Sequence, residues 1–340
     1  MMTADDDKIL LAHGGGGRLT DELIRSVIIS TLGNYTLSKL TDSAELQIGQ
    51  TDICFTTDSF VVKPLFFNGG DIGKLAVCGT INDLAVGGSK PLVLSLSLII
   101  EAGLEIEVLR KILHSAAKAA KQENVEIVCG DTKVVEAGSA DKIFINTSGI
   151  GLKLPKANIG FERIAAGDKI IITGTIGDHG MTIMSHREGT KFESDLKSDC
   201  ASVSEICGKV IEALGSNIKF MRDPTRGGLA ATLNEIVNQT NLSIEIEESR
   251  IPVHPTVRAA AEMLGFDILN IANEGKAVIV VSPRKAQKCL EICQSCEIGK
   301  EAAIIGQVIQ GTEPLVELIT MIKGRRIVPM PYGRELPRIC

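Results

Sequence analysis

The chain has 340 residues, enough for two domains of ordinary size, and 36 basic against 42 acidic side chains give it a net charge of −6. Its composition, 44% hydrophobic and 23% charged, is typical of a folded protein and excludes a disordered chain. The acidic balance, the 3% of aromatic residues and the absence of tryptophan exclude the basic stacking surfaces that bind nucleic acid. We therefore expect no nucleic-acid partner.

The apolar runs bear on membrane association. Acidic residues occupy positions 5–7, where a secretory signal carries positive charge. The longest apolar run, residues 92–100, is interrupted by Ser95 and Ser97 and falls well short of the ~20 residues that cross a bilayer. We interpret this run as a buried strand and expect a cytoplasmic protein with no membrane partner.

The first half of the chain alternates predicted helices and strands. An amphipathic pattern over residues 18–32, followed by Gly33-Asn34, predicts a helix with a stop signal. Periodicity and β-branched content predict the elements that follow, which are strands at 47–55, 55–58, 91–101 and 125–129, a helix opening near Asp71 and a helix over 109–120.

The second half begins after a polar stretch over residues 152–168, which we expect to join two domains. A strand is predicted from Ile170, and alternating residues at 242–247 predict another. Asp223-Pro224 predicts the N-cap and first residue of a helix. The tail carries three prolines and no periodicity, so we expect no regular structure there. The predicted fold is α+β, with two mixed α/β domains at 1–155 and 156–325 and an extended flexible tail at 326–340.

Nine cysteines are scattered through the chain, and we expect them to be reduced. The one dense cluster is Cys289, Cys293 and Cys296, which could supply thiolate ligands for a metal. Ala286, Cys289, Leu290 and Cys293 follow the i, i+3, i+4, i+7 spacing of a buried helix face, where free cysteine behaves as a small hydrophobic residue. Core packing is therefore favoured over metal binding.

A run of four glycines near the N-terminus could bind phosphate. Gly14, Gly15, Gly16 and Gly17 follow His13 and precede the first predicted helix, so their amides and the helix N-terminus could cradle an anion. A flexible linker is the alternative. No P-loop motif is present, because both Gly-Lys pairs lack its first glycine and its Ser/Thr.

Four acidic residues stand beside small or polar neighbours: Asp42, Asp58, Asp83 and Asp131. Asp58 and Asp131 directly follow apolar strand segments and should stand at strand ends, whereas Asp83 lies late in a helical segment. Converging carboxylates repel unless cations lie between them, and Mg²⁺ prefers carboxylate and phosphate oxygens. The set indicates a magnesium-phosphate site, although each acid alone could be a cap or turn residue.

Four stretches carry a resemblance to a known family. Residues 57–60 (TDSF), 71–85 (DIGKLAVCGTINDLA), 130–132 (GDT) and 223–230 (DPTRGGLA) resemble the aminoimidazole-ribonucleotide-synthetase-related superfamily of ATP-binding enzymes. The resemblance covers nearly the whole chain and implies the two-domain fold of that superfamily.

Three further motifs narrow the resemblance. Residues 13–18 (HGGGGR), 62–67 (VKPLFF) and, above all, 337–340 (PRIC) resemble the hydrogenase-maturation members of the superfamily, which dehydrate a carbamoyl group to cyanide. The tail motif is highly specific.

This resemblance implies a homodimer of paired N-terminal domains, with ATP and Mg²⁺ held at their interface. The implied metal ligands are Asp42, Asp58, Asp83 and Asp131. The implied ATP-binding residues are His13, Gly14, Gly15, Gly16, Gly17, Asn82, Asp131, Asp223 and Arg226. For Arg226 a salt-bridged helix N-terminus is an equal alternative.

The resemblance also implies the chemistry of Cys340. A carbamoyltransferase partner would load a carbamoyl group on this thiol, and the tail would carry it to ATP, whose γ-phosphate is attacked by the carbamoyl oxygen. Glu274 would accept protons and Lys133 would neutralise developing charge. The resulting thiocyanate would pass cyanide to iron on a scaffold complex that serves [NiFe]-hydrogenase. Residues 327–340, fully extended, could span roughly 45 Å at ~3.3 Å per residue.

Two alternatives remain at this level. The chain could be a small-molecule phosphotransferase or synthetase of the same superfamily. It could also be a non-catalytic thiol or metal scaffold that uses Cys289, Cys293, Cys296 and Cys340.

Overall fold

The computed structural model describes residues 8–187, 196–333 and 338–340. A short 3-10 turn precedes α1 (Arg18–Leu23), which continues through a π-helical segment (Ile24–Ile29) into α2 (Ser30–Leu32). The helix predicted over 18–32 is therefore confirmed. Its apolar residues Val27, Ile28 and Leu32 are exposed, so the chain alone offers this helical face no core to pack on.

The N-terminal domain is built on a five-stranded sheet in the order β1-β2-β7-β5-β6. All neighbouring strands are antiparallel except β5 and β6, which are parallel. Two helices, α3 and α4, cover one face of this sheet, and their predicted positions are confirmed. The elements are β1 (Ala44–Ile48), β2 (Thr51–Phe60), β3 (Phe66–Phe67), β4 (Gly70–Asp71), α3 (Ile72–Val86), β5 (Ser89–Glu101), α4 (Ile106–Gln122), β6 (Glu126–Val135) and β7 (Ile143–Lys153).

Two strand predictions in this domain were wrong in detail. The strand expected over 47–55 is a hairpin, because Ile48 pairs with Thr51 across a turn in which Gly49 has a φ of 63° that favours glycine. The strand expected to end at Cys129 continues to Val135, because β6 pairs with β5 along its whole length. Asp131 therefore lies within a strand and not at its end.

The C-terminal domain carries a seven-stranded mixed sheet in the order β14-β13-β10-β12-β8-β11-β9. Hydrophobic clusters cover both of its faces. The elements are β8 (Lys169–Ile172), α5 (Asp178–Arg187), α6 (Ser204–Leu214), β9 (Ile218–Arg222), α7 (Gly228–Thr240), β10 (Ser243–Glu247), α8 (Pro255–Leu264), β11 (Val278–Val281), α9 (Ala286–Gln294), β12 (Ala303–Ile309), β13 (Val316–Ile319) and β14 (Arg325–Ile327).

Three expectations for this half can be compared with the structure. The helix expected to open at Asp223-Pro224 begins only at Gly228, because the chain first makes a turn in which Gly227 and Gly228 adopt φ values of 75° and 60°. Strand β14 takes the first residues of the segment expected to lack regular structure. Cys289, Cys293 and Cys296 are buried in one hydrophobic cluster, which confirms the core-packing interpretation.

The two domains share a core through α3, whose residues are buried on nearly every side. The Asn82 side chain, 1% exposed, donates to the Ala201 and Glu274 carbonyl oxygens at 3.0 and 3.4 Å and accepts from the Val203 amide at 2.8 Å. These bonds tie α3 to segments of the C-terminal domain. Over the described ranges, every helix is too short or too polar to cross a membrane.

Candidate active site

A cleft of about 430 Å³ lies where the two domains meet. The N-terminal domain contributes the glycine loop, the later part of β2 and the last turns of α3. The C-terminal domain contributes the loop after β9 and Glu274, and the tail contributes Cys340. Residues separated by more than 300 positions in sequence are therefore brought to one cavity.

Three carboxylates converge in this cleft. Asp42, Asp83 and Asp223 each offer an oxygen atom, and these atoms lie within 4.8 Å of one another. Asp83 stands on the last turn of α3 and accepts a hydrogen bond of 2.8 Å from the Thr56 hydroxyl. Asp223 directly follows β9 and so enters the cluster from the other domain. A set of hard oxygen ligands at this spacing fits a divalent cation such as Mg²⁺.

The electrostatics of the cluster also favour a bound cation. Burial, followed by the charges of neighbouring aspartates, raises the pKa of Asp83 and of Asp223 well above its usual range. Of these three carboxylates, Asp42 alone forms an ion pair within the described part of the chain, because Arg222 lies 2.7 Å from it and also pairs with Glu235 at 2.6 Å. A divalent cation would offset the repulsion that the remaining carboxylates experience.

The other two predicted acidic ligands differ in position. Asp58 lines the cleft beside Asp83, and burial raises the pKa of its carboxyl. Asp131 lies on β6, exposed, and forms an ion pair of 2.7 Å with Lys133. Both residues lie opposite Ser97 and Ile99 of β5, on the sheet face turned away from α3. The structure of one chain therefore does not bring Asp131 or Lys133 to its own cleft.

The glycine loop is closely packed against the tail and against Arg226. A Cβ atom at Gly15 would lie 2.1 Å from the Gly333 carbonyl oxygen, and one at Gly17 would lie 2.1 Å from that of Pro331. Gly16 has a φ of 76° and lies against the Arg226 side chain. These contacts require glycine, which disfavours the flexible-linker interpretation.

The two ends of the predicted glycine motif differ from its centre. His13 Nδ1 accepts a hydrogen bond of 2.9 Å from the Leu10 amide, and the His13 ring does not line the cleft. The Gly14 carbonyl accepts from Arg226 Nη1 at 3.3 Å. Asn82 also lies outside the cleft, because its amide group is occupied by the interdomain bonds described above.

Cys340 and Glu274 lie together at the buried end of the cleft. Burial, with further contributions from the charge of Glu274 and a hydrogen bond to it, raises the pKa of the Cys340 thiol, whereas the Arg226 guanidinium lowers it. Glu274 is 2% exposed, and its Oε1 has no hydrogen-bond partner among the described residues. Burial and nearby aspartates raise the pKa of the Glu274 carboxyl well above its usual range. An acceptor oxygen therefore stands free beside the thiol.

The last residues of the tail are held by hydrogen bonds on both sides. The Val61 amide donates to Cys340 O at 3.0 Å, and Arg338 donates from Nε to the Val61 carbonyl at 3.1 Å. Arg338 also pairs with Asp141 at 2.7 Å. On the other side, His179 Nε2 lies 2.7 Å from the Ile339 carbonyl oxygen. These contacts place the thiol in the cleft of its own chain.

Residues 40–153 match the N-terminal domain of AIR synthase related proteins, and residues 165–318 match their C-terminal domain. The carbamoyl dehydratase HypE of Bradyrhizobium diazoefficiens is 45% identical over 97% of this chain and 95% of its own length. This chain belongs to the carbamoyl dehydratase HypE family. A chain in the crystal structure of a HypE–HypF complex superposes with a TM-score of 0.87 at 48% identity, covering 91% of this chain and 99% of that one. The crystal structure of HypE in complex with ATP gives a TM-score of 0.83 at 40% identity, covering 98% and 100%.

Sequence reasoning missed three residues that support the site of this HypE-family chain. Arg222 neutralises Asp42, Thr56 orients Asp83, and His179 holds the tail. Arg222 directly precedes a motif that the sequence singled out, so its position was a signal that could have been used. Thr56 likewise directly precedes the motif at residues 57–60, whereas nothing in the sequence marks His179, because its role depends on contacts between distant segments.

Proposed function

We propose that this chain is an ATP-dependent carbamoyl dehydratase that converts a carbamoyl group on Cys340 to a thiocyanate and so supplies cyanide for the iron centre of [NiFe]-hydrogenase. The observation that carries the proposal is the meeting of the Cys340 thiol, the Glu274 carboxyl and three converging carboxylates in one cleft. The relatives named carbamoyl dehydratase HypE support it over full length. They also favour it over the phosphotransferase and scaffold alternatives.

The reaction removes the elements of water from an S-carboxamide. The carbamoyl oxygen attacks the γ-phosphorus of ATP and ADP departs, which converts the oxygen to a phosphate leaving group. The nitrogen then loses its two protons as the C–O bond breaks, and S–C≡N and inorganic phosphate remain. Oxygen from the carbamoyl group therefore leaves within the phosphate, and no oxidant or reductant is required.

Glu274 is the proton acceptor in this proposal. Its Oε1, which has no hydrogen-bond partner in the described ranges, lies within the buried end of the cleft, beside the thiol that would carry the carbamoyl nitrogen. Its raised pKa brings the carboxyl closer to the pH at which it must accept and release protons. Arg226, beside both groups, offers positive charge to the oxygen and phosphate that develop negative charge.

The phosphates and the metal have separate binding groups. Gly16 and Gly17 line the cleft at the N-terminus of α1, whose positive dipole end attracts phosphate, while the Gly16 amide itself donates to the Thr20 hydroxyl at 2.9 Å. Asp42, Asp83 and Asp223 would hold Mg²⁺, and Asp58 stands beside them. A bound Mg²⁺ would neutralise phosphate charge and orient the triphosphate.

We further propose a homodimer built on the exposed face of the N-terminal sheet. Phe55, Ile99, Ile150 and Leu152 are 37–45% exposed on the face opposite α3, which is unusual for an apolar sheet surface. Asp131 and Lys133 share this face. Pairing of two such faces would cover the apolar residues and would let the partner subunit's Lys133 approach a neighbouring cleft.

Two further partners follow from the proposed reaction. A carbamoyltransferase must load Cys340, and a HypE–HypF complex is known for a relative of this chain. An iron-scaffold complex of the HypC–HypD kind would accept the cyanide. We also expect this exchange to take place in the cytoplasm.

Intact-mass spectrometry tests the proposal directly. The purified protein is incubated with the carbamoyl donor system, with and without ATP and Mg²⁺. We expect a carbamoyl adduct without ATP and, with ATP, a loss of mass equal to one water molecule. Cys340→Ala is the control and should show neither adduct. A carbamoyl adduct that persists unchanged in the presence of ATP and Mg²⁺ would contradict the assignment.

A further inference from the structure

One short segment contacts both the tail and the loop that carries Glu274. Residues 196–200 connect to the N-terminal domain through Asn68, whose Nδ2 donates to the Leu196 carbonyl at 2.6 Å and whose carbonyl accepts from the Ser198 amide at 2.9 Å. Two consecutive residues of this segment, Ser198 and Asp199, reach in different directions. Neither residue lines the cleft.

Ser198 acts on the tail through His179. The His179 ring is fully buried, with Nδ1 at 2.8 Å from Ser198 Oγ and Nε2 at 2.7 Å from the Ile339 carbonyl oxygen. The Phe67 ring packs edge-on against it at 5.4 Å between centroids, which restricts the ring plane. Burial lowers the pKa of His179, so the ring is neutral at physiological pH.

These contacts determine the tautomer of His179. A carbonyl oxygen only accepts hydrogen bonds, so Nε2 must carry the proton that bonds Ile339. In a neutral ring Nδ1 is then an acceptor, and the Ser198 hydroxyl must donate to it. The same Ser198 oxygen accepts from the Cys200 amide at 3.0 Å, which orients the hydroxyl. Ser198 therefore selects the ring form that holds the residue before Cys340.

Asp199 acts on the loop that carries Glu274. Its carboxylate accepts from the Glu274 amide at 3.1 Å and from the Gly275 amide at 3.2 Å. Lys276 Nζ lies 3.6 Å from the same carboxylate, whose side chain is 3% exposed. A buried carboxylate with two amide donors and a cation fixes the backbone from which the Glu274 side chain extends.

We propose that Ser198 and Asp199 are positioning residues that set the relative placement of the Cys340 thiol and the Glu274 carboxyl. Ser198 does so through His179 and the tail, and Asp199 through the Glu274 backbone. This inference rests on the proposed function for its catalytic consequence, whereas the docking of the tail is measurable without any reaction. Because two consecutive residues hold both elements, the position of the thiol is coupled to that of the carboxyl.

The test measures the effect of Ser198 on the tail and the effect of Asp199 on Glu274 separately. Docking is measured as the rate at which iodoacetamide alkylates Cys340 in the full-length protein, read by mass spectrometry on the C-terminal peptide released after Glu335. Chemistry is measured as the single-turnover rate of dehydration from carbamoylated protein at saturating ATP. Nucleotide affinity and thermal midpoint report whether each variant is folded. His114→Gln, at an exposed histidine of α4, is the matched control.

We expect Ser198→Ala to alkylate roughly fivefold faster, the change expected for loss of one net hydrogen bond, with nucleotide affinity unchanged. Ser198→Thr, which keeps the hydroxyl, should restore the slow rate. Asp199→Asn should alkylate at the wild-type rate yet dehydrate at least fivefold more slowly. If Ser198→Ala does not fold, His179→Gln, which keeps a donor, and His179→Leu, which does not, provide the same comparison.

Equal alkylation rates in Ser198→Ala, Ser198→Thr and wild type, or in the two His179 variants, would overturn the claim that Ser198 holds the tail through His179. An unchanged dehydration rate in Asp199→Asn would overturn the claim that Asp199 positions Glu274. If the wild type itself dehydrates nothing, the proposed function fails, while the alkylation series still decides whether Ser198 docks the tail.

Discussion

The thiol of Cys340 lies against the carboxyl of Glu274 in the cleft between the domains, and burial together with that carboxyl raises the pKa of the thiol. A protonated thiol is a poor nucleophile. The docked position therefore suits a loaded cysteine that is about to lose oxygen better than an empty cysteine that must attack a carbamoyl donor. We infer that loading takes place with the tail outside the cleft.

Substitution of Cys340 should abolish carrier function and leave the rest of the protein intact. Cys340→Ala removes the acceptor atom, but the backbone contacts of residue 340 with Val61 remain. We expect an unchanged thermal midpoint, unchanged ATP affinity and no carbamoyl adduct by intact-mass spectrometry. Accumulation of a carbamoyl or cyano adduct in this variant would show that another residue is the carrier.

The pH dependence of dehydration should report Glu274. Burial and the charges of Asp223, Asp199 and Asp58 raise the pKa of this carboxyl above its ordinary value of 4.5. The residue accepts protons only when ionised, so the single-turnover rate should rise with pH through a midpoint above that value. Glu274→Gln should lower the rate by roughly 100-fold or more and remove this rise. If the rate of Glu274→Gln shows the same pH dependence as the rate of the wild type, Glu274 is not the base.

Removal of one cleft carboxylate should stabilise the metal-free protein while weakening Mg-ATP binding. Burial raises the pKa of Asp83 in the folded state, so the stability of the metal-free protein falls as pH rises from the unfolded value through the folded one. At neutral pH the ionised Asp83 carboxylate therefore lowers the stability of the metal-free protein, and Asp83→Asn removes this destabilisation. We expect a thermal midpoint higher by roughly 2 °C or more without metal.

The same Asp83→Asn variant should bind Mg-ATP at least roughly tenfold more weakly, by titration calorimetry, because it loses a charged oxygen ligand. Asp52→Asn, at an exposed position of β2, is the control and should change neither property. Unaltered Mg-ATP affinity in Asp83→Asn would count against the proposed metal site.

Lys133 should act across the proposed dimer. In one chain it is 68% exposed and pairs with Asp131 outside the cleft. Lys133→Ala and Cys340→Ala should each be inactive as homodimers, but mixed dimers should recover dehydration, because the Cys340→Ala subunit supplies Lys133 to the intact thiol of the other. Activity that stays absent in purified mixed dimers would indicate that Lys133 acts within its own chain or not at all.

Sequence patterns predicted most helices and strands of the N-terminal half but only some of those in the C-terminal half, and they succeeded where hydrophobic periodicity and caps gave local signals. Asp71 caps α3 as expected, since its side chain accepts from the Gly73 and Lys74 amides. The hairpin at Gly49 was missed because Gly-Gln is a weak turn signal within a continuous β-rich segment. Periodicity, caps and turn residues therefore predicted an element correctly wherever the structure of a segment depended mainly on its own sequence.

The site was predicted less completely, for a physical reason. Asp223-Pro224 has the form of a helix N-cap, yet packing against the other domain draws Asp223 into the carboxylate cluster and delays the helix to Gly228. Asn82 stands beside Asp83 in the motif, but the side chain of Asn82 faces the interdomain contact. Which neighbouring residue faces the cleft depends on long-range packing, which a single sequence does not display.

The hydrogen bonds of Asn82 also limit the motions by which Cys340 can be loaded and unloaded. Its amide joins α3 to Ala201, Val203 and Glu274 in a region with almost no solvent exposure, so separating the domains would leave several buried polar groups unsatisfied. Release of residues 338–340 breaks the hydrogen bonds to Val61 and His179 and the Arg338–Asp141 pair and exposes Ile339, but it leaves the bonds of Asn82 in place. We therefore expect cargo exchange to proceed by local release of residues 338–340 while the two domains stay joined, and relaxation measurements should find exchange in the tail with both domains static.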